Sequence, residues 1–308
     1  MQTALENLHL VLSSPRPRAP GTITGYLSTA TQFLTWVGEK VPPDDMDMRR
    51  YFLKRRDGGI GENTLRTEFT RLKKLYQANH WEFNFTANDR PEAPSDTESP
   101  AFTRAEVEQL IKNRDLYSKG ERFYLAIATI MAPRRIELAR IKKRDIKDHS
   151  IHIDTAKHGQ KRTHLIPEEI MPYIEAYRPR EHNVSPMSAM FNRICKKGLG
   201  EERRGYGWHS FRRCLITLLI SSLAQNNLPI TLGAEYMRWS KNTIGAAFLG
   251  SMTAATYIRQ EARSDDPFYV DKLILSVHPF LELWGEDELP DNNASGEQNN
   301  PTGEGWKS

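Results

Sequence analysis

Hydrophobic side chains recur at helical spacing along the first 90 residues. Between Ile23 and Val37 the apolar positions fall three or four residues apart, which places them on one side of a helix. "VPPDD" ends that helix, and either Asp44 or Asp45 can cap the next one. "GGIGEN" then precedes another amphipathic stretch. The pattern predicts a small domain of four short helices over residues 1–90.

The chain then changes character twice. Residues 91–101 are polar, rich in proline and without periodicity, which predicts an interdomain linker. Thr103 and Glu106 form a T-x-x-E capping box that opens a second domain, expected over 102–285. From residue 286 the composition turns to Asp, Asn, Gly, Glu and Pro, which predicts an acidic disordered tail over 286–308.

The second domain contains one stretch with the period of a strand. "SIHIDT" and "THLIPE" alternate apolar and polar residues on either side of "AKHGQKR", which predicts a β-hairpin among helices. Near its end, Asp266 and Pro267 form a helix start, and a helix is expected over 267–284. The predicted fold is therefore mainly α with a small β-hairpin or sheet in the C-terminal domain, an α+β arrangement.

Composition excludes several classes of protein. The chain has 308 residues, of which 38% are hydrophobic and 27% charged, as in globular proteins. No apolar run approaches the roughly 20 residues that span a bilayer, and the N-terminus lacks a signal-peptide core. Cys195 and Cys214 form neither a disulfide framework nor a metal-ligand spacing. We find no Walker-type loop or metal cluster, so we expect a cytoplasmic protein without a cofactor.

Charge is distributed unevenly along the chain. The net charge is +4, yet the residues from Glu282 onward include seven acidic ones and one lysine, which leaves +10 for the remainder. A body of this charge favours an anionic partner such as nucleic acid. In the N-terminal domain the last predicted helix carries four basic residues, for which a solvated surface and phosphate contact are equally good interpretations. These residues are Arg66, Arg71, Lys73 and Lys74.

Two stretches of the second domain carry candidate chemistry. In "MAPRRIELARIKKRDI", Arg134 precedes Glu137 by one helical turn. In "WHSFRRCLIT", His209 and Arg212 are three residues apart, so they share one helix face and could meet the same ligand. Taken alone, each stretch is better explained as a helix that carries exposed arginines.

The order of several motifs resembles the tyrosine recombinase (phage integrase) family. Arg134-x-x-Glu137-Leu138 followed by Asp145-Ile146 is similar to the family's first-arginine motif, and "HSFR" matches its H-x-x-R box. Lys157 is similar to the family's β-hairpin lysine. In "YMRWS", Trp239 stands where the family carries His or Trp, and "TAATYIR" offers Tyr257 as the nucleophile. The matched segments span most of residues 102–280, and the helical front domain resembles the family's SAM-like core-binding domain by architecture.

The resemblance implies a role for each of these residues. Arg134 and Arg212 would hold a DNA phosphate, because a guanidinium presents a planar fork of donors. His209 would donate to a phosphate oxygen or handle the tyrosine proton, and the indole N–H of Trp239 would only donate. Lys157 would protonate the departing 5′ oxygen, and Tyr257 would hold the 3′ phosphate covalently.

Several positions keep alternatives. Arg135 competes with Arg134, which fits the register to Glu137 better, and Lys161 and Arg162 compete with Lys157. Trp239 and Tyr257 are eighteen residues apart, about twice the separation usual in the family, so Trp239 could be a core residue and Ser251 could mark the position instead. Tyr236 and Tyr269 are the alternative nucleophiles.

The resemblance implies a site-specific DNA recombinase, an integrase of a virus or other mobile element, that acts on double-stranded DNA without a cofactor. It also implies a homo-tetramer on DNA, in which the helix 267–284 passes to a neighbouring protomer. A type IB topoisomerase-like nicking-closing enzyme and a noncatalytic DNA-binding protein with the same fold are the alternatives.

Overall fold

A computed structural model describes residues 1–92, 100–155, 161–182, 184–240 and 265–285. The chain divides into two compact units, Met1–Glu98 and Ser99–Ser308, each with a hydrophobic core of its own. We call them the N-terminal and the C-terminal unit. The described residues are mainly helical and include one small antiparallel sheet, so the predicted fold class is confirmed. Among these residues, no helix combines the length and the apolarity needed to cross a membrane.

The described part of the N-terminal unit, residues 1–92, contains four α-helices: α1 (Gln2–Ser13), α2 (Pro20–Val37), α3 (Asp45–Asp57) and α4 (Glu62–Ala78). Asp44 is the residue that caps α3, because its Oδ1 accepts from the Asp47 N–H at 2.9 Å while Asp47 accepts from the Asp44 N–H at 3.0 Å. Helix α2 begins at Pro20, whose missing N–H costs nothing in the first turn. The apolar faces of the helices meet in a core rich in aromatic rings.

Nine further α-helices lie in the described part of the C-terminal unit. They are α5 (Arg104–Lys112), α6 (Lys119–Ile130), α7 (Arg135–Arg140), α8 (Met171–Glu175), α9 (Val184–Leu199), α10 (Trp208–Gln225), α11 (Thr231–Tyr236), α12 (Tyr269–Leu275) and α13 (Glu282–Gly285). The predicted capping box is confirmed, since Thr103 caps α5 and exchanges hydrogen bonds with Glu106. Helix α6 is buried over most of its length and contacts α8 and α10, so it forms the centre of this unit.

The sheet has the order β1-β2-β3 and is antiparallel throughout: β1 (Ile146–Lys147), β2 (Ser150–Ile153) and β3 (Arg162–Leu165). The predicted hairpin is β2 with β3, in a register that pairs Ser150 with Leu165 and Ile153 with Arg162. Ile151 and Ile153 point into the core, as the period of two requires.

The prediction of one helix over 267–284 is wrong. Two short helices, α12 and α13, occupy this segment, and the chain turns between them at His278 and Pro279. Proline disfavours the helical conformation of the residue before it, and it has no N–H to continue the helical hydrogen bonds. His278 stabilises the turn, because its Nε2 donates to the Ile130 carbonyl at 3.0 Å and its Nδ1 accepts from the Phe280 N–H at 3.2 Å. Ile274, Phe280 and Trp284 are buried in the core of their own unit.

Candidate active site

Arg134 stands at the N-cap of α7, where Glu137 holds both its backbone and its side chain. The Arg134 N–H donates to Glu137 Oε2 at 2.8 Å, and Arg134 Nη1 donates to Glu137 Oε1 at 2.7 Å. The Glu137 side chain is fully buried, whereas that of Arg134 keeps 23% of its surface exposed. Glu137 therefore fixes a guanidinium that solvent, or a ligand, can still reach.

The neighbouring Arg135 points elsewhere. Its Nη1 donates to Ser188 Oγ at 2.8 Å, and the residue is exposed. Of the two adjacent arginines, Arg134 is the one that pairs with Glu137, in keeping with the register that favoured it in the sequence.

Arg212 lies four residues after the start of α10 and is nearly buried, with 4% of its surface exposed. Its Nη1 donates to the Ala132 carbonyl at 2.8 Å, and its Nη2 donates to the Met237 carbonyl. Ala132 comes two residues before Arg134, and Met237 directly follows α11. Arg212 therefore joins α10 to the loop that carries Arg134 and to the end of α11.

The electrostatics show that these groups lie near one another. Burial, helped by the positive charges of Arg238 and Arg134 and opposed by Glu137, lowers the pKa of Arg212 to about 9. The pKa of His209 is also lowered, first by partial burial of its ring and then by Arg212, Arg213 and Arg134. At neutral pH the His209 imidazole is therefore uncharged and can donate or accept a proton.

His209 is largely exposed at the head of α10, one turn before Arg212. Trp208 beside it is buried and donates from Nε1 to the Met187 carbonyl at 2.7 Å, so it serves packing. The first turn of α10 therefore places one side chain in the core and the next at the surface.

Sequence reasoning missed Arg238. This side chain is fully buried, and its Nη2 lies 3.5 Å from Glu137 Oε2 while its Nη1 donates to the Met131 carbonyl at 3.2 Å. A sequence signal existed: a lone arginine follows the apolar stretch around Tyr236 and Met237, where a charge needs a partner. The motif order indicated the neighbouring Trp239 instead.

The backbone is strained at both loops that meet Arg212. Ala132 has φ 42° and Arg238 has φ 58°, in the left-handed region that residues with a Cβ rarely adopt. Such positions cost on the order of 1–3 kcal/mol each and persist where the surroundings hold them. Here the Ala132 carbonyl accepts from Arg212, and the Arg238 side chain holds Glu137, so the strain lies within the arginine cluster itself.

Trp239 is half-buried and packs against the core of the C-terminal unit, and its backbone N–H donates to the Ala234 carbonyl at 3.0 Å. Its contact with a phosphate stays a prediction. Of the alternative nucleophiles, Tyr236 is fully buried and donates its hydroxyl to the Ile130 carbonyl at 3.1 Å, so a DNA strand cannot reach it. Tyr269 lies at the exposed start of α12.

Lys157, Ser251 and Tyr257 lie outside the described residues, so their positions stay predictions. Of the alternatives to Lys157, Arg162 is held between Asp271 at 2.5 Å and Glu235 at 3.2 Å. Lys161 pairs with Asp154 at 3.0 Å at the exposed end of the hairpin.

The four basic residues on α4 differ in their surroundings. Arg71 donates to Thr29 Oγ1 at 3.0 Å and lies 6.0 Å from the Tyr26 ring, so it also ties α4 to α2. The exposed Lys73 lies 5.6 Å from the Phe83 ring, and Arg66 and Lys74 are half-buried. Their contact with DNA stays a prediction.

The cluster carries more positive than negative charge. Arg134, Arg212 and Arg238 surround Glu137, so three guanidiniums face one carboxylate. Within the described ranges, no group of three or more His, Cys, Asp or Glu side chains could hold a metal ion. Cys195 and Cys214 are buried thiols whose pKa burial raises to about 12, which makes both poor nucleophiles. The arrangement suits an anion that accepts hydrogen bonds from guanidiniums, as a phosphate does.

Solved structures share this fold. The crystal structure of lambda integrase (residues 75–356) bound to DNA matches with a TM-score of 0.63 at 15% identity, over 79% of this chain and 92% of that one. A lambda integrase tetramer bound to a Holliday junction matches with a TM-score of 0.58 at 16% identity, over 76% of each chain. XerH site-specific recombinase bound to palindromic difH substrate, a post-cleavage complex, matches with 0.50 at 15% identity, over 73% of this chain and 78% of that one.

The sequence matches no protein-family model and no curated protein. At 15–16% identity the likeness to the solved structures concerns the fold. It covers about three quarters of the chain and agrees with the resemblance that the ordered motifs indicate. The protein has the fold of the tyrosine recombinases.

Proposed function

We propose that this protein is a site-specific DNA recombinase that cleaves and rejoins duplex DNA through a 3′-phosphotyrosine intermediate, and that it serves as the integrase of a virus or other mobile element. The observation that carries the proposal is the arginine cluster, in which Arg134 and Arg212 come from distant parts of the sequence and act on the same carboxylate and on each other.

The arginines would stabilise the charge that develops on the phosphate in the transition state. Each guanidinium offers five N–H donors in a rigid plane, and Glu137 and the two carbonyls fix that plane before DNA binds. Donors held in this way need no reorganisation during the reaction, and one such donor is worth roughly 3–4 kcal/mol in other enzymes.

The remaining roles are those that the family resemblance implies, and with them the atoms of the cleavage step balance. The Tyr257 oxygen forms a bond to phosphorus, and the bond from phosphorus to the 5′ oxygen breaks. His209 accepts the tyrosine proton, so the phenol oxygen becomes the ester oxygen of the phosphotyrosine. Lys157 gives a proton to the 5′ oxygen, which leaves as a hydroxyl. Trp239 would donate its indole N–H to a nonbridging oxygen. Rejoining reverses these transfers with a 5′ hydroxyl as the nucleophile.

Double-stranded DNA is the proposed partner. The chain without its acidic C-terminal part carries +10, and the crystal structures that share its fold include lambda integrase bound to DNA. Arg66, Arg71, Lys73 and Lys74 would contact the backbone phosphates.

A homo-tetramer on DNA is part of the proposal, as lambda integrase forms a tetramer on a Holliday junction. Exchange of residues 267–284 between protomers would withdraw Ile274, Phe280 and Trp284 from their own unit. A ring in which every protomer gives and receives the same segment restores those contacts, so the exchange is compatible with the fold.

A covalent complex on a nicked suicide substrate tests the proposal. DNA fragments that flank the protein's own gene serve as substrates, and denaturing gels reveal the protein–DNA band. We expect the band for the wild type and for Tyr269→Phe, the matched control, and its loss in Tyr257→Phe. Arg134→Ala should reduce cleavage roughly 100-fold or more, because a preorganised donor is lost. A band that survives Tyr257→Phe would show that the nucleophile is wrong.

Two further outcomes separate the alternatives. Relaxation of supercoiled plasmid without strand exchange between two duplexes would indicate a type IB topoisomerase-like enzyme. Duplex binding without any covalent band would indicate a noncatalytic DNA-binding protein.

A further inference from the structure

A second buried residue, His164 on β3, connects Arg238 to the C-terminal segment. Its side chain is fully buried, and its Nε2 lies 2.7 Å from Arg238 Nη1. Its Nδ1 lies 2.7 Å from Oδ1 of Asp271, which belongs to α12 and is also fully buried. We call Glu137, Arg238, His164 and Asp271 the buried relay.

The hydrogen bonds of the relay have a fixed direction. A guanidinium only donates, so His164 Nε2 accepts from Arg238 and the His164 proton resides on Nδ1, from which it is donated to Asp271. Burial agrees with this neutral form, because it lowers the pKa of His164 to about 4 against the opposing effect of Asp271. Each member therefore has one orientation that satisfies its neighbours.

The outer end of the relay is anchored in the sheet. Asp271 Oδ2 accepts from Arg162 Nη2 at 2.5 Å, and Arg162 Nη1 donates to Glu235 on α11 at 3.2 Å. The inner end reaches the arginine cluster, where Glu137 receives both Arg238 and Arg134. The chain of contacts thus runs from α12 through β3 to the guanidinium of Arg134.

We propose that Arg238, His164 and Asp271 are positioning residues, which orient the Glu137–Arg134 pair and thereby make the arginine cluster competent only while an α12, from the same chain or from a neighbouring protomer, is seated on the unit. The proposal rests on the recombinase function for its catalytic consequence. The orientation of Arg134 and the anion affinity that follows from it do not depend on that function.

The energetics favour this role over one in folding. Buried charge chains are seldom a source of net stability, because removing several ions from water costs about as much as their attraction returns. Apolar residues of similar volume would fill the space between α12, β3 and α11 as well. What the polar chain adds is a single geometry for each guanidinium.

Asp271→Asn tests the relay with the smallest change of shape. It removes the charge that faces His164 and Arg162, and α12 keeps its apolar contacts through Ile274. We expect the rate of covalent complex formation at saturating DNA to fall roughly 10- to 100-fold, since small misplacement of a catalytic group costs this much. The affinity for duplex DNA should change much less than the rate, because a duplex meets basic residues well beyond the arginine cluster.

Asp266→Asn is the matched control. Asp266 lies just before the same helix, accepts from the Phe268 N–H at 2.8 Å and pairs with Lys272 at 2.7 Å, and neither of these partners belongs to the relay. It should leave the rate unchanged. An unchanged rate in Asp271→Asn as well would overturn the proposal.

His164→Gln and His164→Leu provide a second comparison that a purely structural role would not explain. A glutamine can accept from Arg238 and donate to Asp271, whereas leucine fills similar space and does neither. We expect Gln to retain more of the rate at saturating DNA than Leu when both variants are folded, as judged by melting temperature. Equal rates in the two variants would contradict the relay.

Binding of inorganic sulfate separates this proposal from the recombinase function. Sulfate should raise the melting temperature of the wild type through Arg134 and Arg212, and the rise should shrink in Arg134→Gln and in Asp271→Asn. If the rise shrinks as expected while the wild type forms no covalent complex, the relay stands and the recombinase proposal fails. If Asp271→Asn keeps both the full rise and the full cleavage rate, the relay fails and the recombinase proposal stands.

Discussion

The cores of the two units differ in the charged side chains that they bury completely. In the N-terminal unit aromatic rings meet edge to face, with Phe33 5.2 Å from Tyr51 and Tyr76 5.5 Å from Trp81. In the C-terminal unit an apolar core surrounds the fully buried side chains of Arg238, His164 and Asp271.

This difference in buried charge indicates what each core contributes to its unit. Aromatic packing contributes stability in proportion to the area it buries. Buried ions give up hydration and return a defined orientation. Aromatic packing therefore mainly stabilises the N-terminal unit, whereas part of the C-terminal core holds charged side chains in fixed orientations.

The largest expected difference between the two units is in their stability toward acid. Burial lowers the pKa of His164 and of His278 from 6.5 to about 4. Between these values the folded C-terminal unit binds fewer protons than the unfolded chain, so its stability is full above pH 6.5 and is lost as the pH falls toward 4. The loss at pH 4 should reach about 3 kcal/mol per histidine, or about 6 kcal/mol for both.

The N-terminal unit should respond only at lower pH. The pKa of Asp44, lowered chiefly by Lys40, and that of Asp89, lowered chiefly by the Thr86 N–H, are each about 2, so the stability they add is lost below their ordinary value of 3.8. Fluorine NMR of fluorotryptophan-labelled protein can follow both units during urea unfolding, with Trp81 reporting on the first and Trp208 on the second. Equal acid sensitivity of the two signals would break the comparison.

Phe33→Ala should produce the next largest effect. Phe33 is fully buried between Tyr51 and Tyr76, and the loss of such a ring costs roughly 3–5 kcal/mol because a cavity remains. The free energy of unfolding should fall by this amount when urea unfolding is followed at Trp81. A loss below about 1 kcal/mol would mean that aromatic packing is not the main support of this core.

Asp44→Ala should have the smallest effect on the stability of the N-terminal unit. It removes the side-chain acceptor of the α3 capping box and should lower the free energy of unfolding less than the changes above, as is typical of an exposed N-cap. Asp45→Ala is the control, since Asp45 lies in the first turn of α3 without the capping role. Urea unfolding that ranks Asp45→Ala as the more damaging change would contradict the assignment of Asp44 as the cap.

Much of the fold was accessible from local patterns. The Thr103–Glu106 box, the pair of strands and the four front helices depend on contacts within a few residues, which periodicity and capping rules describe well. The split between α12 and α13 was also accessible, because Pro279 stands in the predicted helix, although the apolar periodicity continues across it.

The candidate site was accessible only in part. Ordered motifs indicated Arg134, His209 and Arg212, and the structure places these three within one electrostatic cluster. Arg238 escaped because its partners, Glu137 and His164, are 101 and 74 residues away along the chain. No window of sequence contains such a set.

The sequence by itself determined where helices and strands form, because those choices depend on the spacing of apolar side chains and on capping residues a few positions away. It also determined the excess of positive charge and the supply of arginine, lysine and histidine side chains. Only the tertiary structure decided which charges are buried together, which arginine stays open to solvent and which tyrosine is closed off. Burial and pairing of charge depend on residues far apart in the chain, and their free energies arise only when the core has closed around them.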